Sequence, residues 1–346
     1  VKKIRNGIIA VVIPVICLYL LQCLLTPKYA TDIKEGAMIA EYYNSNKNHD
    51  VLILGDCEVY ENISPATMWE NNGITSYIRG SAEQLIWQSY YLLEDTLRYE
   101  TPKVVVLNVL AMQQAEAKSE AYNRMTIDGM KWSKAKLHSI QESMTEKETL
   151  SSYIFPLLRY HSRWSDLSFE DVSYMWKTPN VTTNGYLMQT GVRPVTNLPK
   201  AVPLANYQFS DRNYEYLNKI AQLCKEHHIE LVLIKAPSVF PHWYDEWEEQ
   251  IQNFAKEQGV SYLNLAKASE EIGIDYTQDT YDYGQHMNVF GAEKTSVYLA
   301  DILQNRYNLQ DHRNDENKQL IEQWNRLTAD YHMERQDKLS QAESGK

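Results

Sequence analysis

Apolar positions follow two distinct patterns along this chain. The first is a block. Gly7 to Leu25 runs 19 positions without a charge, and as a helix it would extend about 28 Å, close to the hydrocarbon thickness of a bilayer. Lys2, Lys3 and Arg5 precede it, so the positive-inside rule puts that end in the cytoplasm and the main domain outside. The expectation is a single-pass anchor over residues 1–28. A cleaved signal peptide would need a small-x-small site, which Leu25-Thr26-Pro27-Lys28 lacks. Bulky Gln22 argues against a lipoprotein at Cys23, and a buried core helix sits badly with 19 uncharged residues beside a basic cluster.

The second pattern is an alternation. Short aliphatic runs at Val51–Leu54, Ile74–Ile78, Val104–Leu107, Ile229–Ile234 and Val260–Leu265 suit strands buried on both faces of a parallel sheet. Between them lie helical stripes over Ala82–Tyr99, Arg212–His228 and Trp243–Gln258, with Gly259 where a helix stop belongs. Alternating strands and helices predict an α/β fold, a doubly wound five-stranded parallel sheet of flavodoxin-like type. Strands three and four are about 120 residues apart, too far for an ordinary crossover. Residues 111–205 therefore read as a helical insertion, ending in loop around Pro194, Pro199 and Pro203, and expected over the carboxyl ends of the strands. The predicted organisation is an anchor at 1–28, a juxtamembrane linker at 29–50 with one short helix around Glu35 to Asn44, and the main domain at 51–310. A polar helix and disordered tail at 311–346 follow, with Ile321, Trp324 and Leu327 marking the helix.

Composition narrows the function classes. Hydrophobic residues make up 44% of 346, enough for a sizeable core. A net charge of −11 argues against a nucleic-acid partner, which needs a basic face. Four cysteines make no disulfide framework. His161, His242 and His312 stand apart and His227–His228 ends a helix, so no zinc spacing and no metal site is expected. No phosphate-binding glycine motif is present, and no cofactor is expected. The 25 Tyr and 8 Trp could be structural, or could offer faces to sugar rings.

Candidate chemistry sits at two places. The first strand ends in Gly55-Asp56-Cys57-Glu58, a strand–turn–helix junction that would expose the Cys57 thiol and its N–H. After the fifth strand comes Asp282-Tyr283-Gly284-Gln285-His286, where Gly284 favours a loop over a helix. Such a loop would let Asp282 hold one imidazole nitrogen and leave the other for the sulfur. Cys57 alone would read as a small buried hydrophobe, and His286 alone as a capping histidine. Thiolate chemistry would require His286, as imidazolium, to depress the thiol pKa. Glu58 could be a first-turn acid favoured by the helix dipole, and Asn108 could satisfy backbone groups at a strand end. The Asn62-Ile63-Ser64 sequon reads as accidental.

These blocks resemble the SGNH/GDSL hydrolases. That family has a nucleophile turn after the first strand, here Gly55-Asp56-Cys57, and a glycine after the second, here Gly80 in Ile78-Arg79-Gly80-Ser81. It has an asparagine after the third, here Asn108, and a terminal acid–histidine block, here Asp282 and His286. The layout is most similar to the membrane-anchored DltD-like branch of teichoic-acid D-alanylation. That branch carries a comparable turn, here Gly55-Asp56-Cys57-Glu58, and a glycine five residues after the histidine, here Gly291. Two features depart from it: cysteine stands for serine, and three residues rather than two separate the acid from the histidine.

The resemblance implies catalysis by Cys57, His286 and Asp282. Gly80 and Asn108, with the Cys57 N–H, would form an oxyanion hole, and Asp56, Glu58 and Arg79 would lie along the substrate. It implies an extracytoplasmic acyltransferase acting on a cell-envelope polymer, alone or beside a multispanning membrane acyltransferase. An esterase or deacylase of envelope polysaccharide, and a catalytically degenerate binding or scaffold protein, are the alternatives.

Overall fold

A computed structural model describes residues 2–27, 35–176, 180–198 and 200–344. Five strands form one sheet: β1 (Val51–Gly55), β2 (Ser76–Gly80), β3 (Val104–Asn108), β4 (Glu230–Lys235) and β5 (Ser261–Asn264). All pairings are parallel and the order is β2-β1-β3-β4-β5. The aliphatic runs thus become strands because each must fill two faces. Leu52, Leu54, Val105, Leu107, Leu231 and Leu233 pack on one side, under helices Ile86–Thr96, Asp211–Glu226 and Asp245–Gln258. Val51, Ile53, Val104, Val106, Val232 and Ile234 pack on the other, where helix Val289–Tyr307 lies. The strand order reverses direction between β1 and β3, which opens a crevice beyond their carboxyl ends. Cys57 follows β1 and Asn108 ends β3, so both flank that crevice.

The N-terminal helix runs Lys2–Leu25. It is long and apolar enough to cross a membrane over Lys3–Leu25. Its side chains are exposed as far as Leu21, and Leu25 is buried against the body.

The segments on either side of the main domain fold onto it. Residues 35–44 form the expected short helix, as helix Glu35–Glu41 followed by a 3-10 turn, and Met38, Ile39 and Tyr42 are buried. Residues 28–34 of that stretch lie outside the described residues, as does Pro199. At the C-terminus one helix spans Lys318–Glu343 in place of a disordered tail. Its stripe continues through Leu320, Trp324 and Thr328 to Tyr331, all buried; Trp324 stacks on Trp69 at 5.3 Å. The aromatic rings carry that stripe where aliphatic residues are sparse.

The 111–205 insertion divides into two halves. Helices Glu120–Ile127 and Lys134–Ser143 pack beside Glu35–Glu41 and Ile86–Thr96. An extended half follows the β2 edge, where Asn184 O accepts from Ile78 N at 3.0 Å. It then reaches the strand ends: Leu187 N donates to Tyr60 O at 2.7 Å and Arg193 N to Thr280 O at 2.9 Å. The extended half, rather than the helices, meets the candidate site.

Candidate active site

Gly55 closes β1 with φ +153°, and a Cβ there would stand 2.8 Å from the Asn108 Cβ. Only glycine lets β1 and β3 approach so closely while the chain turns. Asp56 then caps helix Cys57–Tyr60, its Oδ1 accepting from Glu58 N at 3.2 Å. Cys57 is the first residue of that helix, where N–H groups have no intrahelical acceptor. Its side chain is partly accessible.

The histidine arrives on a loop tied by Thr280. Thr280 Oγ1 donates to His286 O at 2.8 Å and accepts from Gly284 N at 2.8 Å. Tyr283 (φ +65°) and Gly284 (φ +92°) provide the left-handed turn. Asp282 grips His286 twice: Oδ1 takes its backbone N–H at 2.8 Å and Oδ2 lies 2.6 Å from Nδ1. The imidazole also stands near enough to the Cys57 side chain for the two to interact electrostatically. With Nδ1 on Asp282, Nε2 is left for the sulfur. The structure thus brings together Cys57, His286 and Asp282, from opposite ends of the main domain.

A second carboxylate shares the imidazole. Glu61 Oε2 is 3.3 Å from Nδ1. Tyr281 OH donates to Glu61 at 2.8 Å and Gln189 Nε2 at 3.1 Å. The Tyr281 ring lies nearly parallel to the imidazole, 20° between planes. Glu61 follows Cys57 by four residues, one helical turn, and that spacing was the available signal. Tyr281 adjoins Asp282, whereas no local pattern marks Gln189.

Burial, joined by the negative charge of Asp56, pushes the Cys57 thiol up to about 12, and contact with His286 only partly offsets this. The surroundings thus raise the thiol rather than depress it. Burial disfavours charge on His286, but the sulfur, Asp282 and Glu61 outweigh it and raise its pKa. Because the sulfur attracts the imidazolium only when ionised, thiol and imidazole titrate as a pair sharing one proton. Burial likewise raises Glu61.

Beneath the pair lies a closed cluster. Lys235 Nζ is 2.8 and 3.0 Å from the two Glu58 carboxylate oxygens and donates to Ser238 Oγ at 2.8 Å. Ser238 Oγ donates to Glu58 Oε1 at 2.7 Å. Asn108 Nδ2 donates to Asp56 Oδ1 at 3.1 Å and to Glu58 Oε2 at 3.0 Å, while its Oδ1 accepts from Ala236 N at 3.2 Å.

Several expected site residues belong to packing instead. Both amide hydrogens of Asn108 are committed, leaving none for an oxyanion in this arrangement. Asp56 and Glu58 are buried and face Asn108 rather than a substrate path. Arg79 is buried on the far side of β2, donating to Asp95, Thr96 and Leu92 O, with its guanidinium 4.2 Å from the Tyr42 ring centre. Strand alternation turns it away from the crevice. Gly80 is in register with Gly55, and a Cβ there would meet Gly55 O at 3.0 Å. Close packing alone accounts for that glycine. Among the described residues, no group of three or more His, Cys, Asp or Glu could hold a metal ion.

Comparison with solved structures finds similar chains, among them two from Bacteroides. One is a "putative acylhydrolase" from Bacteroides fragilis, at 11% identity, with TM-score 0.37, covering 78% of this chain and 93% of that one. The other is a GDSL-like lipase from Bacteroides thetaiotaomicron, at 11% identity, with TM-score 0.35, covering 79% and 97%. No protein-family description matches the sequence, and no curated protein matches it.

Proposed function

We propose that this chain is an acyl-transfer catalyst, working through a thioester on Cys57, with its body held at the outer face of a membrane by the N-terminal helix. The juxtaposition of Cys57 with His286, itself held by Asp282, at the β1/β3 reversal carries this reading. In the first step sulfur attacks the acyl carbonyl while the thiol proton passes to His286 Nε2. The carbonyl oxygen takes the negative charge, with the Cys57 N–H at the helix start as its donor. Collapse expels the leaving group, which takes the proton from His286. In the second step an acceptor hydroxyl gives its proton to His286 and attacks the thioester, releasing the thiolate to be reprotonated. Asp282 keeps the imidazole oriented throughout.

A hydroxyl on a cell-envelope polymer makes the chain an acyltransferase, alone or with a multispanning membrane acyltransferase. Water in its place makes an esterase or deacylase. Incubation of the full chain with an activated acyl ester should leave a thioester adduct on the peptide containing Cys57, absent in Cys57→Ala. Partition of the released acyl group between water and an added polyol then separates hydrolase from transferase. Absence of any adduct at Cys57 defeats the covalent reading.

The raised thiol pKa and the committed Asn108 amide favour one other reading, a degenerate site in a membrane-tethered binding protein. Under it, Cys57→Ala and Cys57→Ser leave the cellular phenotype unchanged.

A further inference from the structure

One stretch of the body exposes several large apolar side chains, three of them aromatic rings more than two-thirds open. Between positions 154 and 176, Phe155 (58%), Leu158 (57%), Trp164 (72%), Phe169 (87%) and Trp176 (75%) are all open to solvent. Single exposed apolar residues need no account, but a cluster within 23 positions marks a contact surface. The segment consists of short helices and one 3-10 turn that project these side chains outward. None of the five joins a core cluster.

Position identifies what covers this face. The same segment packs against the end of the N-terminal helix, and Arg163 Nη1 donates to Leu25 O at 3.1 Å. Arg163 is in turn fixed by Asp171 at 2.6 Å. The helix is exposed through Leu21 and becomes partly enclosed only from Gln22 onward. Lys3–Leu25 rises about 34 Å as a helix, so with Lys3 and Arg5 at one surface, Gln22–Leu25 reaches the opposite edge of a hydrocarbon layer of about 30 Å. Whatever touches Leu25 therefore stands in the interfacial layer, the depth at which tryptophan is enriched.

We propose that the 154–176 face beds into the outer interface of the phospholipid bilayer, seating Trp164, Phe169 and Trp176 beside the anchor and fixing the height and tilt of the catalytic body. The proposal rests on reading Lys3–Leu25 as a membrane span, and a second contact beside it removes the freedom of rotation that a lone helix would leave.

The test uses the full chain reconstituted into phosphatidylethanolamine–phosphatidylglycerol vesicles carrying lipids brominated near the top of the acyl chain. Residues 1–27 contain no tryptophan, so quenching reports only on the body. The expected result is loss of emission from two of the eight tryptophans, abolished in the W164F/W176F variant, which keeps the face apolar. Unquenched wild-type emission, as a protein partner for this face would produce, overturns the proposal. So does equal quenching in the double variant. Resistance to carbonate extraction is read in parallel. Protein that resists extraction but is unquenched fails this surface alone, whereas extracted protein fails the membrane span itself.

Discussion

Glu58 and Glu61 stand three residues apart on the segment that follows β1, and both are buried, yet their surroundings assign them different work. Glu58 faces Lys235, Ser238 and Asn108, so an ion pair and two neutral donors compensate its charge. Glu61 faces Tyr281, Gln189 and the His286 imidazole, whose charge depends on its proton. The first cluster is closed and holds β1, β3 and β4 together at their ends. The second can change its protonation without losing its partners. Carboxylates of equal chemistry are thus divided between structure and proton transfer by what stands opposite them.

The strongest break in that contrast comes from the imidazole. His286→Ala should lower acyl-transfer turnover by about 10²–10⁴-fold, the usual worth of a general base, with little change in unfolding midpoint. A loss of stability with activity intact would make the second cluster structural as well. Lys235→Met should do the reverse. It leaves Glu58 charged, buried and unpaired, at a cost of about 3–5 kcal/mol read by urea unfolding, and Glu58→Met in the same chain should recover much of it.

Two carboxylates on one nitrogen sharpen the picture further. A charge-assisted hydrogen bond contributes roughly 1.5–3 kcal/mol, so Asp282→Asn should cost about 10- to 100-fold in kcat/KM, with Glu61 still supporting the imidazolium. Glu61→Gln alone should cost less than about tenfold, since its contact is longer. The double variant should approach His286→Ala, and the His286 imidazole shift followed by NMR against pH should fall in the same order. If the double variant titrates as Asp282→Asn does, Glu61 has no hold on the ring.

The smallest effect is at Asp56, between the clusters. Burial, with the neighbouring Glu58 charge, raises its carboxyl to about 7. From the ordinary carboxyl range up to that value the folded chain holds a proton that the unfolded chain has lost, so this group's contribution makes stability fall as pH rises through that window. Asp56→Asn keeps an oxygen to cap the helix and should flatten that slope. It also removes a negative charge beside the sulfur, so alkylation of Cys57 at pH 8 should accelerate, by about tenfold for each unit the thiol pKa drops. An unchanged alkylation rate would show that burial alone sets the thiol.

By itself the sequence determined the long apolar N-terminal helix, the five strands with the two-sided burial of β1 to β4, and the two short blocks bearing Cys57, Asp282 and His286. Each is written in residues within about twenty positions of one another, as an apolar run, a turn glycine or an acid–histidine spacing. Tertiary structure decided which polar residues would be left to react. Lys235 and Glu58 pair across 177 positions, Gln189 meets Glu61 across 128, and Asn108 is consumed by acids 50 and 52 positions away. Arg79 could not be separated from a substrate ligand until Asp95 and Tyr42 were seen to enclose it. The physical reason is that periodicity reports how a segment meets a core, whereas the state of a buried charge depends on the partner that the fold sets opposite it.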